Sequence, residues 1–231
     1  MNKKVIVAGG LLASAALLTG CGLESVAGPV NQDTVSYEVT EKVGELRLES
    51  GAGDAEITET EGDTVRVVEH LRWRGDAKPE TEHKVEGEAL VVTYDCPSDW
   101  GACGVDYEIE VPKGLTADLT TGSGNLTLRG LTGELKLLVG SGDVDAAGLA
   151  GRSLSAESGA GDIELTYASA PDAVELVAGS GDIRLAVPDG AYDLKSEVGS
   201  GDTAVTVKTD TSSPHKISLQ TGSGDVTVSP A

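Results

Sequence analysis

An all-β fold, a repetitive β-solenoid of β-helix type with about 20 residues and two strands per coil, is predicted by three observations. The run Gly-x-Gly-Asp recurs. With Gly-Ala-Gly-Asp and one Asn variant included, seven copies end at Asp54, Asn125, Asp143, Asp162, Asp182, Asp202 and Asp225, and from the second onward the steps are 18, 19, 20, 20 and 23 residues. Between copies, apolar residues alternate at period two, and no stretch combines helical spacing with caps. Aromatics are 3% of the 231 residues and Phe is absent, so the core must be thin layers of Val, Ile, Leu and Ala.

The chain opens on an export signal. Lys3 and Lys4 precede an apolar run from Val5 to Leu18, at ~14 residues too short for the ~20 that span a bilayer. Leu18-Thr19-Gly20-Cys21 closes it and resembles the lipobox of bacterial lipoproteins, which implies cleavage before Cys21 and a lipid on its sulfur. The alternative is an ordinary cleaved signal with Cys21 incidental. Residues 1–20 thus read as a lipoprotein signal peptide; removing them takes away two lysines and no acids, so the net charge of −21 becomes −23. Residues 21–33, rich in Gly, Ser, Pro and Asn without apolar periodicity, read as a flexible tether.

Residues 34–111 read as an irregular N-terminal β part. Val35, Tyr37 and Val39, then Leu46 and Leu48, Ala55 and Ile57, and Val65 and Val67 each mark one face of a half-buried strand. With Cys21 lipidated, two cysteines remain in an oxidising compartment, so Cys96 and Cys103 are expected to pair. Closing that loop contributes roughly 2.5 kcal/mol by the chain-entropy estimate. A metal reading would need two further ligands nearby, and none is present. Trp100 lies within the loop, as a candidate surface anchor or as a lid over the end of the stack; Trp73, between Arg72 and Arg74, has the same two readings.

Residues 112–231 read as regular coils continuous with 34–111 in one domain. Inward positions are even before a corner (Val174, Leu176, Ala178) and odd after it (Ile183, Leu185, Val187). Strict alternation cannot change parity, so each corner inserts one residue and bends the chain, which glycine permits. Stacking coils ~4.8 Å apart places the acids in a ladder, where two carboxylates repel by roughly 0.9 kcal/mol in water. Two offsets stand open. Each Asp accepts N–H bonds from its own corner, as in Asx turns, or Asp143, Asp162, Asp182, Asp202 and Asp225 share a cation such as Ca²⁺. No other cofactor is expected.

The acidic balance, 38 acids against 17 bases, opposes nucleic acid and anionic lipid as partners. His70, His83 and His215 are scattered, no nucleophile or metal-ligand motif occurs, and the acids recur by repeat position. Catalysis is therefore not expected, a polysaccharide lyase-like enzyme being the least favoured reading.

The lipobox, Ser50-Gly51-Ala52-Gly53-Asp54, the Val111-Pro112-Lys113-Gly114 joint and the string of Gly-Ser-Gly-Asp units together resemble the bacterial putative-adhesin family of β-strand-repeat domains, a domain of unknown function, over about Thr34 to Val228. The resemblance implies a solenoid-like domain outside the cytoplasmic membrane. Together these observations lead to an extracytoplasmic lipoprotein held to the bacterial cell membrane through Cys21. It is expected to be monomeric and non-enzymatic, a surface binding, adhesion or structural envelope module meeting an envelope protein or glycan. A Ca²⁺-binding solenoid and a sensory ectodomain of an envelope-stress system are the alternatives.

Overall fold

The computed structural model describes residues 29–97 and 103–231. Among these no helix occurs; twenty strands form two ten-stranded sheets. The strands that build the repeat run as pairs joined by a glycine corner, here called rungs: β2 (Glu45–Ala52) with β3 (Ala55–Thr60), β8 (Thr116–Ser123) with β9 (Leu126–Arg129), β10 (Leu135–Ser141) with β11 (Val144–Leu149), and β12 (Ser153–Ala160) with β13 (Ile163–Tyr167). The series continues with β14 (Ala173–Ser180) and β15 (Ile183–Val187), β16 (Ala191–Ser200) and β17 (Thr203–Val205), and β19 (Lys216–Ser223) and β20 (Val226–Pro230). The first strand of each rung pairs in parallel with first strands in one sheet, called the front sheet below. The second strands do the same in the other, called the back sheet.

Register is kept from rung to rung, so equal positions stack. In the front sheet Leu48, Leu119, Leu137, Ala156, Leu176 and Leu219 form one inward column. In the back sheet Ile109, Ile57, Leu128, Ala146, Leu165, Leu185 and Val228 form another. All of these are buried. The predicted parity change is present: Val174, Leu176 and Ala178 are buried before the corner, Ile183, Leu185 and Val187 after it. A sheet with one solvated face normally alternates in this way.

The stack does not follow chain order at either end. The front sheet reads β16-β19-β14, so the last rung of the chain, β19–β20, lies between β14–β15 and β16–β17. The 23-residue step that precedes it is what makes this possible. Its longer connection carries the chain from β17 in the back sheet to β18 (Lys208–Thr209), which pairs with Ala191 and Tyr192 of β16. The chain then returns to the vacant slot. As the outermost rung, β16–β17 leaves Leu194, Val198 and Val205 only half-buried.

The other end is arranged alike. Between Asp54 and Asn125 the chain leaves to build an outer rung from β6 (Ala89–Asp95) and β7 (Cys103–Pro112), on the far side of β2–β3. Antiparallel strands then finish the sheets: β4 (Val65–Arg74) and β1 (Val30–Val39) beyond β7, and β5 (Glu80–Glu86) beyond β6. β1 begins at Val30, inside the stretch read from sequence as tether.

Tyrosines close this end. Tyr37 stacks on His83 with ring centroids 3.8 Å apart, linking β1 to β5 across the core. Its hydroxyl donates to Oε1 of the buried Glu69 at 3.0 Å, and burial together with that carboxylate pushes the Tyr37 phenol well above its ordinary pKa. The Tyr94 hydroxyl meets both the N–H and the C=O of Ala52, where β6 has parted from β2.

Candidate functional site

Each Gly-x-Gly-Asp corner is shaped by the rung beneath it. The second glycine has positive φ, +132° at Gly181, and a Cβ there would lie 2.1 Å from the Gly161 carbonyl oxygen. The first glycine is similarly confined, with a Cβ on Gly179 falling 2.5 Å from the Gly159 oxygen. Conformation and close backbone approach both require glycine, and neither requires a ligand.

The acid that follows completes the ladder, by a route different from the one the sequence suggests. Within a corner the neighbouring N–H groups donate to carbonyls of the next rung, as Gly142 does to Ala160 and Val144 to Asp162. The Asp N–H points the opposite way, toward the preceding rung. A side-chain oxygen of the adjacent rung fills that place: the Asp162 N–H donates to Asp143 Oδ1 at 2.8 Å, Asp182 to Asp162 at 2.8 Å, Asp225 to Asp182 at 2.8 Å, and Asp202 to Asp225 at 2.8 Å. The expected own-corner Asx bonds are thus replaced by bonds between rungs. The series follows stack order, with Asp225 between Asp182 and Asp202.

At the other end the same ladder runs from Asp143 to Asn125 (2.9 Å), to Asp54 (2.8 Å) and to Asp106 (3.0 Å). Asn125 serves as well as Asp because its Oδ1 is also an acceptor. Asp106 is a member that sequence reading missed; Cys103 and Val105 stand where the two glycines would be, and only the alternation of Tyr107, Ile109 and Val111 after it signals it.

Repulsion along the ladder is relieved by side chains as well. Arg184 bridges Asp162 (3.1 Å) and Asp182 (2.6 Å), and Arg72 meets Asp106 at 2.7 Å. The Asp182 N–H, with help from Arg184 and against the opposing effect of partial burial, holds the Asp162 carboxyl below its ordinary range. Among the described residues no three His, Cys, Asp or Glu side chains converge in a metal-binding group.

The disulfide expectation is met: Cys96 and Cys103 are joined, with Cα atoms 6.1 Å apart, across the corner of the outer rung β6–β7. Trp73 lies opposite Cys103 in register, packs against the core, and has the Lys78 ammonium 5.3 Å from its ring centroid. Cys21 and Trp100 lie outside the described residues.

A second feature emerges only once the strands are stacked. The outer face of the front sheet carries a groove of about 790 Å³ near the strand starts. It crosses seven rungs, from Glu45 on β2 to Asp193 and Lys195 on β16. Six steps of ~4.8 Å make it roughly 29 Å long. Its middle is floored by Ser153, Ser155 and Ala173, with Ser218 beyond. Charges of both signs flank it, including the 2.9 Å pair of Lys136 with Asp118.

Fold and surface together define an extended all-β repeat domain, stacked from two-strand rungs and offering one continuous grooved face. The chain belongs to the Toastrack DUF4097 family, whose model matches residues 40–229; this is the relationship to which the repeated corners point. Among solved structures it is similar to a "putative cell adhesion protein" from Clostridium sporogenes, at 13% identity and TM-score 0.50, covering 88% of this chain and 100% of that one. It is also similar to a "putative adhesin" from Bacteroides fragilis, at 15% identity and TM-score 0.46, covering 86% and 97%. No curated protein matches. At these identities the likeness is one of fold.

Proposed function

We propose that the protein is a non-enzymatic binding module of the cell envelope, a two-strand β-solenoid held outside the cytoplasmic membrane by a lipid on Cys21. The observation that carries this reading is the continuous groove across seven rungs of the front sheet. A repeat stack makes long, regular recognition surfaces because equal positions recur at a fixed spacing. The groove lies on the sheet face, and the corner acids are occupied in holding rungs together. The export signal and lipobox supply a route to the envelope, and the adhesion name given to the Clostridium sporogenes protein of similar fold is consistent with a binding role.

The test uses the intact chain expressed in a bacterial host. With a clickable palmitate analogue, label is expected on the parent and absent from Cys21→Ala, which should leave the membrane fraction. The purified lipoprotein is expected to bind isolated envelopes saturably. Non-saturable association, or none, would count against a binding module; unlabelled parent protein would remove the lipid anchor.

A further inference from the structure

The chemistry of the front-sheet groove narrows its ligand, given the binding-module reading above. We infer that the groove takes an extended, uncharged glycan segment lying along the stack axis, across the strands.

Four properties of the groove lead to this. First, its floor belongs to the interior of a sheet whose backbone N–H and C=O groups are already used in pairing with rungs on both sides. An incoming peptide cannot add there as a strand. Only side-chain groups are on offer, and these are the hydroxyls of Ser153, Ser155 and Ser218 with carboxylates and ammoniums around them. Hydroxyls and carboxylates together donate to and accept from sugar hydroxyls.

Second, the groove carries charges of both signs. The chain as a whole carries −21, yet the groove sets Lys136, Lys195 and Lys216 among five acids, Glu45, Asp118, Glu134, Glu175 and Asp193. Lys136 is already paired with Asp118. A polyanion would meet the acids and a polycation the lysines, whereas an uncharged chain meets neither penalty.

Third, the spacing fits. Rungs recur every ~4.8 Å, close to the advance per residue of an extended pyranose chain, so successive sugars meet one outward side chain per rung, Asp118, Lys136, Ser155, Glu175, Ser218 and Lys195 in turn. Fourth, Ser155 and Ser218 are exposed on one face, on either side of the exposed Glu175, so a carboxylate and two hydroxyls stand side by side on the floor. Among the described residues no aromatic ring lines the groove for stacking. Binding must then come from many polar contacts repeated along the chain.

The experiment is saturation-transfer NMR on the full lipidated chain in detergent, with chitohexaose, cellohexaose and mannohexaose as probes and hyaluronan as the charged comparison. At least one neutral hexasaccharide should bind. Its affinity should rise more than tenfold from disaccharide to hexasaccharide and change less than twofold between low and physiological salt. Ser155→Arg and Ser218→Arg place a bulky side chain on the exposed floor and should each weaken binding at least tenfold while leaving the melting temperature unchanged.

Silence from all three neutral probes would overturn the assignment. So would binding that survives both substitutions, or a preference for hyaluronan with steep salt dependence. Envelope binding by the same variants separates the two levels. If the parent and both Arg variants bind envelopes equally, the groove assignment falls and the binding module stands. If the parent itself does not bind envelopes, the module reading falls.

Discussion

Gly181→Ala should destabilise the protein by about 2–6 kcal/mol, a large loss for the addition of a single methyl group. Two effects combine. The φ of +132° is one that an L-residue adopts only under strain, at roughly 1–3 kcal/mol. The new Cβ would also sit 2.1 Å from the Gly161 carbonyl oxygen. That neighbour is backbone, fixed by its own rung, so relief requires separating two rungs and loosening ladder bonds on both sides. Overpacking of this kind adds roughly 1–3 kcal/mol. Gly44→Ala is the control: nothing lies within 4 Å of a Cβ there, and φ is not positive, so its effect should stay within ~0.5 kcal/mol. Urea denaturation of both variants measures the difference. Equal, small effects would mean that the corner glycines are not held by rung contact.

Leu219→Ala is the second large effect, and it tests the order of the stack. Leu219 is 1% exposed and stacks on Leu176 in an interior rung, so truncation should cost about 2–5 kcal/mol. Leu194, on the outermost rung β16–β17, is half-buried and should cost about 1–2 kcal/mol when truncated. Stacking in simple chain order would reverse the ranking, because β16 would then be interior and β19 terminal. The same geometry means that both end rungs are excursions of the chain, and that the rungs nearest the two termini of the repeat are held between others.

Much of the rung was legible in the sequence because it depends on local periodicity. The change from Val174, Leu176, Ala178 to Ile183, Leu185, Val187 required a one-residue insertion at the corner, and the structure contains it. What was not legible depends on which rung lies beside which. The 23-residue step before Asp225 gave notice of a different connection, but its use, carrying the chain past one vacant slot and back, rests on tertiary packing. Asp106 was hidden because Val105 breaks the glycine pattern while its backbone still follows the ladder. The direction of the acid's hydrogen bond also required a neighbour, since it is the adjacent rung's N–H that the oxygen receives. The groove is a still more distant consequence: Thr116, the pair Ser153 and Ser155, and Ser218 come from three different strands and share a surface only after register is set. Cys96 and Cys103 were readable by elimination alone, independent of topology.

The central claim is that the repeated acid serves as a neutral-capable acceptor for the adjacent rung, leaving recognition to the sheet face. Denaturation of Asp143→Asn beside Asp143→Ala tests it most directly. Asn keeps an Oδ1 for the Asp162 N–H, as Asn125 already does for Asp143, and should lie within ~0.5 kcal/mol of the parent. Ala leaves that N–H without its acceptor and should lose about 1–2 kcal/mol. The melting temperature of the parent should be the same with and without millimolar Ca²⁺. A loss in Asp143→Asn as large as in Asp143→Ala, together with a Ca²⁺-dependent rise of many degrees in the parent, would contradict the account and make the ladder a cation site.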